Sequence, residues 1–279
     1  MQTLPPKQSR LRQPAVEIQF PNGQLAQARY VERRTELPQA LKALGLRQSR
    51  PVLVLIGGAS NLSQEDFDRL QSLFIESIAP LAEELGMIVV DGGTDAGVIK
   101  LMGIARATIH GTFPLVGVAP LQKIHYPNSP IPNTHPLEPN HTHFIFTSGS
   151  NWGDESPWIA TIASLLSGNA PSATVLMNGG NVSLLDVKES LNAGRLVYVI
   201  TGTGRLADEI GTAMHNPEQP PREALFPVLQ SGVKGDRLAL FDLSNPAGQL
   251  TSTLKQHFDH QHLAHNLAFE GADRKVLKS

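Results

Sequence analysis

Between Pro51 and Thr201 the chain repeats one pattern of short, continuously apolar runs set apart by longer stretches with apolar residues at helical spacing. The runs are Val52–Ile56, Met87–Val90, Leu115–Ala119, His143–Thr147, Thr174–Asn178 and Leu196–Thr201. They do not alternate with polar residues, so each reads as a strand buried on both faces, the mark of a parallel sheet covered by helices. The helical stretches between them span about Ser63–Leu85, Ala96–His110, Ser156–Ser167, Val182–Ala193 and Leu206–Met214. Strand alternating with helix predicts an α/β, doubly wound, mostly parallel sheet with right-handed crossovers.

Ahead of this region Val16, Ile18 and Phe20 alternate with Glu17 and Gln19, Pro21-Asn22-Gly23-Gln24 offers a turn, and Leu25–Val31 follows. That is the signature of an N-terminal β-hairpin extension, and a short helix over Leu37–Leu46 leads from it into the main region. Two proline-rich segments break the rhythm. Gln122–Asn140 has no periodicity and is expected to run over the rim of the sheet as a long surface loop. Asn216–Pro221 is the second break, followed by Glu223–Gln230, a strand at Leu238–Asp242 and a helix near Gly248–Leu263. The tail Gly271–Ser279 is expected to be disordered. Residues 1–50 are therefore read as a hairpin-and-helix extension, 51–245 as the main domain and 246–279 as a C-terminal helix and tail.

Composition narrows the function classes. Hydrophobic residues make up 41% and charged residues 17% of the 279, the balance of a folded globular chain. With 23 basic and 25 acidic side chains the net charge is −2, which supplies no field to hold DNA or an anionic membrane, so no nucleic-acid partner is expected. The absence of cysteine removes disulfides, thiolate zinc sites and thiol nucleophiles, and is compatible with the cytosol. Met1–Pro14 is polar and basic without a following apolar run, and no run approaches the ~18 residues of a membrane helix. A cytoplasmic chain without membrane insertion is expected.

Four of the strands end in glycine clusters: Gly57-Gly58-Ala59-Ser60-Asn61, Asp91-Gly92-Gly93-Thr94-Asp95-Ala96-Gly97, Gly179-Gly180-Asn181 and Gly202-Thr203-Gly204-Arg205. Ligands of open parallel sheets bind at the carboxyl ends of strands, where glycine lets backbone N–H groups and helix N-termini face an anion. One such cluster means no more than a tight turn; four at successive strand ends predict a shared site for a diphosphate. Gly202-Thr203-Gly204-Arg205-Leu206-Ala207 also fits the G-x-G-x-x-A pattern, although no acid follows at the expected distance. Arg205 opens its helix, where a cation opposes the helix dipole unless an anion is near, and this makes it the foremost phosphate candidate. The alternative for Arg205 is a surface pair with Asp208 or Glu209. Asp91 at its strand end either accepts from ribose hydroxyls or caps the next helix.

In order, Ile56-Gly57-Gly58-Ala59, Asp91–Val98, Val116–Pro120, Asn140–Phe144, Asn178–Asn181 and Thr201–Asp208 resemble the prokaryotic members of the SLOG superfamily closest to the N-terminal region of TRPM channels. The resemblance spans Pro51–Thr212 and implies a Rossmann-like fold for a nucleotide-derived ligand such as ADP-ribose or an NAD metabolite. It implies ligand contacts from Gly57, Gly58, Ala59, Asp91, Gly92, Gly93, Thr94, Gly97, Pro120, His141, His143, Gly179, Gly180, Asn181, Gly202, Thr203, Gly204 and Arg205. The glycines after the second strand and the Gly202–Arg205 loop would line phosphate, with Asp91 and His141–His143 bordering the ligand. The channel family usually carries a small hydroxyl residue where this chain has Asp91, and a carboxylate there would repel phosphate, so a different ligand or orientation is expected. A sensor role without catalytic residues, metal or further cofactor follows, with a homo-oligomer as the expected assembly. More distantly, Gly92–Gly103 and Gly202–Glu209 look like the two motifs of the Lonely Guy phosphoribohydrolases. On that alternative the chain cleaves an N-glycosidic bond, with Glu209 or Asp91 as acid/base.

Other groupings carry less. His125, His135, Glu138, His141 and His143 can be drawn as a metal site, but solvated or hydrogen-bonded histidines are the commoner outcome in such a segment. The same holds for His257, His260, His262 and His265. Trp152 either stacks on a base or fills a gap in the core. Ser148 and Ser150 lack the G-x-S-x-G elbow of a hydrolase.

Overall fold

The expected alternation is realised in the computed structural model, which describes residues 15–58, 63–128, 130–216, 218 and 221–259. Ala59 of the first glycine cluster, Met1–Pro14, His260, His262, His265 and the tail Gly271–Ser279 lie outside the described residues. The strands are β1 (Val16–Gln19), β2 (Leu25–Val31), β3 (Val52–Gly57), β4 (Ile88–Asp91), β5 (Leu115–Pro120), β6 (Ile124–His125), β7 (His135–Pro136), β8 (His143–Thr147), β9 (Ser172–Met177), β10 (Leu196–Thr201) and β11 (Leu238–Asp242). The helices are α1 (Leu37–Ala43), α2 (Gln64–Leu73), α3 (Ala79–Glu84), α4 (Gly97–Thr108), α5 (Ser156–Ser167), α6 (Asn181–Asn192), α7 (Arg205–His215), α8 (Phe226–Lys234) and α9 over residues 247–259.

The main sheet runs β1-β2-β8-β5-β4-β3-β9-β10-β11, parallel at every step except the β1–β2 hairpin. The hairpin is continuous with it, because β2 pairs with β8 from Gln27 opposite His143 to Val31 opposite Thr147. Strand order reverses between β3 and β9, where chain crossings change direction, the place at which open α/β sheets receive ligands.

Strands β3, β4, β5, β8, β9 and β10 bury both faces, as their continuous apolar runs dictate. Val52, Val54 and Ile56 point into a layer formed by α1, α5, α6, α7 and α8; Leu53 and Leu55 point into one formed by α2, α3, α4 and α9. Burying each such side chain contributes roughly 1.5–3 kcal/mol. A smaller cluster of Ile18, Ala28, Ile124, Leu137, Phe144 and Phe146 extends the second layer under the hairpin. Among the described residues no helix is long and apolar enough to cross a membrane.

Two expectations need correction. The stretch read as one helix over Ser63–Leu85 is two helices joined by a π turn at Phe74–Ile78. Pro80 stands in the first turn of α3 and has no N–H to carry the ladder across. Ser63 caps α2 by accepting from the Asp66 amide at 3.1 Å. The segment Gln122–Asn140 is not only a rim loop: with no α-helix among the described residues between β5 and β8, it forms the crossover itself, and its Leu137 and Glu138 are buried, as is His141 just beyond it. Helical periodicity is absent because the segment covers the sheet with an irregular backbone and the short β6–β7 pair.

Candidate functional site

The four glycine turns follow β4, β3, β9 and β10, consecutive neighbours in a parallel stretch of sheet, so all lie along one edge astride the reversal of strand order. Pro120 ends β5, the next strand along, and Gly97 begins α4. The turns are tightly built. Gly57 has φ +140, and a Cβ there would lie 1.8 Å from the Met177 carbonyl oxygen, so β3 and β9 end in backbone contact that only glycine permits. Gly93, at φ +70, packs against Gly117 of β5, its hypothetical Cβ falling 2.9 Å from the Gly117 Cα.

Five of the turn amides expected to face an anion are already bonded within the protein. Gly58 donates to the Met177 carbonyl at 3.2 Å, Gly93 to Asp91 Oδ1 at 2.8 Å and Gly179 to Asn178 Oδ1 at 2.9 Å. Gly202 and Gly204 donate to the two oxygens of Asp208, at 2.7 and 3.1 Å. Asp208 therefore occupies the N–H nest of the last turn with an internal carboxylate. The β9 and β10 turns are bolted together as well: Asn178 N donates to Thr203 Oγ1 at 2.7 Å and Asn178 Nδ2 to the Thr203 carbonyl at 2.6 Å. Asn178 and Thr203 are both buried. Asn178 and Asp208 were not singled out from sequence as site residues; the spacing of Asp208 four residues after Gly204 was the available signal.

Arg205 differs from these. It stands at φ +53, a left-handed conformation unusual for a residue with a side chain. Its guanidinium lies over Gly180 in the neighbouring turn, and no hydrogen bond or ion pair joins it to the described residues. The expected alternative pairing with Asp208 or Glu209 is not formed: Asp208 holds the turn amides, and Glu209 pairs with Arg222 at 2.5 Å. Arg222 also donates to Asn181 Oδ1 at 3.3 Å. Arg205, Asp208, Glu209, Thr212, Arg222 and Leu225 line an open cleft of about 460 Å³ beside the turns.

Asp91, His141 and His143 lie elsewhere than a ligand-bordering role requires. Asp91 and His141 are fully enclosed and bonded to each other, His141 Nε2 to Asp91 Oδ1 at 2.9 Å, with Glu138 Oε2 on the other ring nitrogen at 2.8 Å. Burial alone would depress the His141 pKa, but the flanking Asp91 and Glu138 carboxylates reverse that and raise it to about 9. The Asp91 carboxylate that would have repelled phosphate is thus turned inward and compensated. His143 opens β8 at the amino edge and approaches the Leu44 carbonyl at 3.2 Å. Burial, helped by the Arg106 charge, lowers its pKa to about 4, so it is neutral. Among the described residues no group of three His, Asp or Glu side chains is disposed to hold a metal ion. Trp152 packs edge-on against His135 at 5.4 Å.

Glu155, at the start of α5, faces Asp186 on α6, a residue that sequence reading missed. Glu155 is buried and accepts from the Gly153 amide at 2.7 Å; its pKa is raised by burial and by Asp154. Asp186 on α6 is raised to about 7, by burial first and by Glu155 and Glu189, against a contact with Ser156. Asp186 Oδ1 and Ser156 Oγ are sealed from solvent without a fully formed partner.

The family model described as SLOG in TRPM, prokaryote, matches residues 50–251. The transient receptor potential cation channel subfamily M member 2 of Mus musculus is 25% identical over 203 residues, covering 60% of this chain and 13% of the channel. Its Rattus norvegicus counterpart is 24% identical over the same length and shares. The chain thus matches only a small part of these channels. A crystal structure titled as that of TM1055 aligns at TM-score 0.47 and 16% identity over 74% of this chain and 99% of that one.

Proposed function

The chain belongs to the family of SLOG domains in TRPM, prokaryote, and on that premise we propose that it binds a nucleotide-derived ligand of the ADP-ribose or NAD-metabolite class across the four glycine turns. The observation that carries the reading is Arg205: a cation without a partner among the described residues, at a helix N-terminus, in a strained backbone conformation, beside a cleft and against the glycine turn of the adjacent strand. A cation placed there opposes the helix dipole, and a bound phosphate removes the conflict. Backbone strain of this kind is concentrated at functional positions. With the amides of Gly58, Gly93, Gly179, Gly202 and Gly204 bonded internally, the arginine carries the phosphate contact in this reading.

Isothermal calorimetry with ADP-ribose, NAD, AMP and ribose 5-phosphate as separate probes tests this. The expected result is binding of at least one probe, and a loss of about 1.5–3 kcal/mol in Arg205→Ala as a charged hydrogen bond is removed. No binding by any probe, or equal affinity in the variant, defeats it.

A second reading, hydrolysis of a nucleotide N-glycosidic bond, loses both acids named from sequence, since Asp91 is sealed against His141 and Glu209 is paired with Arg222. Free base released from nucleoside monophosphates would restore it; no base over a long incubation leaves the binding function alone.

A further inference from the structure

We infer that His141 is a positioning residue: set between Asp91 and Glu138, it clamps the crossover between β5 and β8 onto the Gly92–Gly93 turn and holds that turn in its observed form. The consequence for ligand binding rests on the function proposed above; the clamp does not. Asp91 Oδ1 accepts from both the Gly93 amide at 2.8 Å and the His141 ring at 2.9 Å, so one oxygen joins turn and histidine. Asp91 Oδ2 is enclosed without a partner among the described residues, which leaves His141 as the group compensating this carboxylate. On the far side Glu138 accepts from His141 at 2.8 Å and from the Asn140 backbone and side chain at 2.9 and 2.7 Å.

The crossover also touches the turn through backbone. Glu138 N donates to the Gly93 carbonyl at 3.0 Å, Asp95 N donates to the Pro136 carbonyl at 2.9 Å, and Thr94 bridges Leu137. Room for the clamp is made on α4, where a Cβ on Gly103 would fall 2.1 Å from the Glu138 carboxyl carbon. The charged and titratable groups around the ring are Asp91 from β4, Glu138 from the crossover, Arg106 from α4, which approaches the Asn140 carbonyl at 3.4 Å, and neutral His143 from β8. Without the imidazolium, two carboxylates would remain enclosed opposite one arginine, and Asp91 would keep the Gly93 amide only at a desolvation cost.

Amide hydrogen exchange of the full chain, without ligand, decides the matter. In His141→Leu the amides of residues 92–94 are expected to exchange at least tenfold faster, those of β9 residues 173–176 to stay unchanged, and His141→Gln to restore part of the protection. Equal rates, or the same acceleration throughout the sheet, would overturn the inference. Should the leucine variant fail to fold, the unaltered protein serves between pH 7 and 10. After correction for the intrinsic pH dependence of exchange, protection of 92–94 relative to 173–176 is expected to fall as the His141 imidazole loses its proton, observed by NMR. Protection unchanged through that titration overturns it equally. Lost ligand binding with both exchange results as expected would count against the proposed function and leave the clamp standing.

Discussion

The guanidinium Nη2 of Arg205 lies 2.6 Å from the position a Cβ on Gly180 would take, so the two adjacent turns share one small space. Gly180→Ala is expected to push the arginine aside and weaken ADP-ribose binding in calorimetry. Gly180 has extended φ of −141, which alanine adopts freely, and the displaced neighbour is a mobile side-chain end. Thermal stability is therefore expected to move by less than ~0.5 kcal/mol. A large stability loss with affinity intact would contradict this picture.

Arg205 at φ +53 stores strain that glycine would not. Arg205→Gly is expected to exceed Arg205→Ala in unfolding free energy by up to about 1 kcal/mol, while both lose the same ligand affinity. Parallel urea denaturation and calorimetry of the two variants compare them. If alanine is the more stable of the pair, the strain is not real.

The His141 pKa in the folded chain, about 9, stands above its ordinary 6.5. A group whose proton is held more tightly after folding contributes stability that is complete below pH 6.5 and is lost as pH rises through about 9. At ~1.36 kcal/mol per unit the contribution is at most about 3 kcal/mol. Denaturant melts from pH 6 to 10 are expected to show this decline in the parent and a flatter profile in His141→Gln. Identical slopes would refute the assignment.

Asp186 titrates in the opposite sense to an ordinary buried carboxylate partnered by a cation. Its pKa is raised from 3.8 to about 7, so the folded chain holds the proton and stability falls as pH climbs from 3.8 through 7. Asp186→Asn removes this decline and is expected to be more stable than the parent at pH 8 by about 1–3 kcal/mol. A destabilised asparagine variant at that pH would mean that the carboxylate is compensated by a partner outside the described residues.

The order of elements was legible in the sequence. Strands β8, β10 and β11 fall on the expected residues, and α5 does as well, because a continuous apolar run or a helical repeat reports local burial directly. The four glycine turns were legible for the same reason, since strand ends and glycine conformations are written within a few residues. Proline hid more than it revealed: the π turn before Pro80 and the buried half of the 121–142 crossover carry no periodic signal.

Sequence alone determined that this chain is a doubly wound α/β sheet with glycine-rich carboxyl ends, because periodicity and turn chemistry act over short range. Which turns stand side by side, and what occupies them, only the tertiary structure decided. Asp91 meets His141 across 50 residues, the β9 and β10 turns interlock through Asn178 and Thr203, and Asp208 takes amides that looked open to an anion. These pairings depend on how crossovers lay one segment over another. A local pattern states that a residue is buried without stating against what.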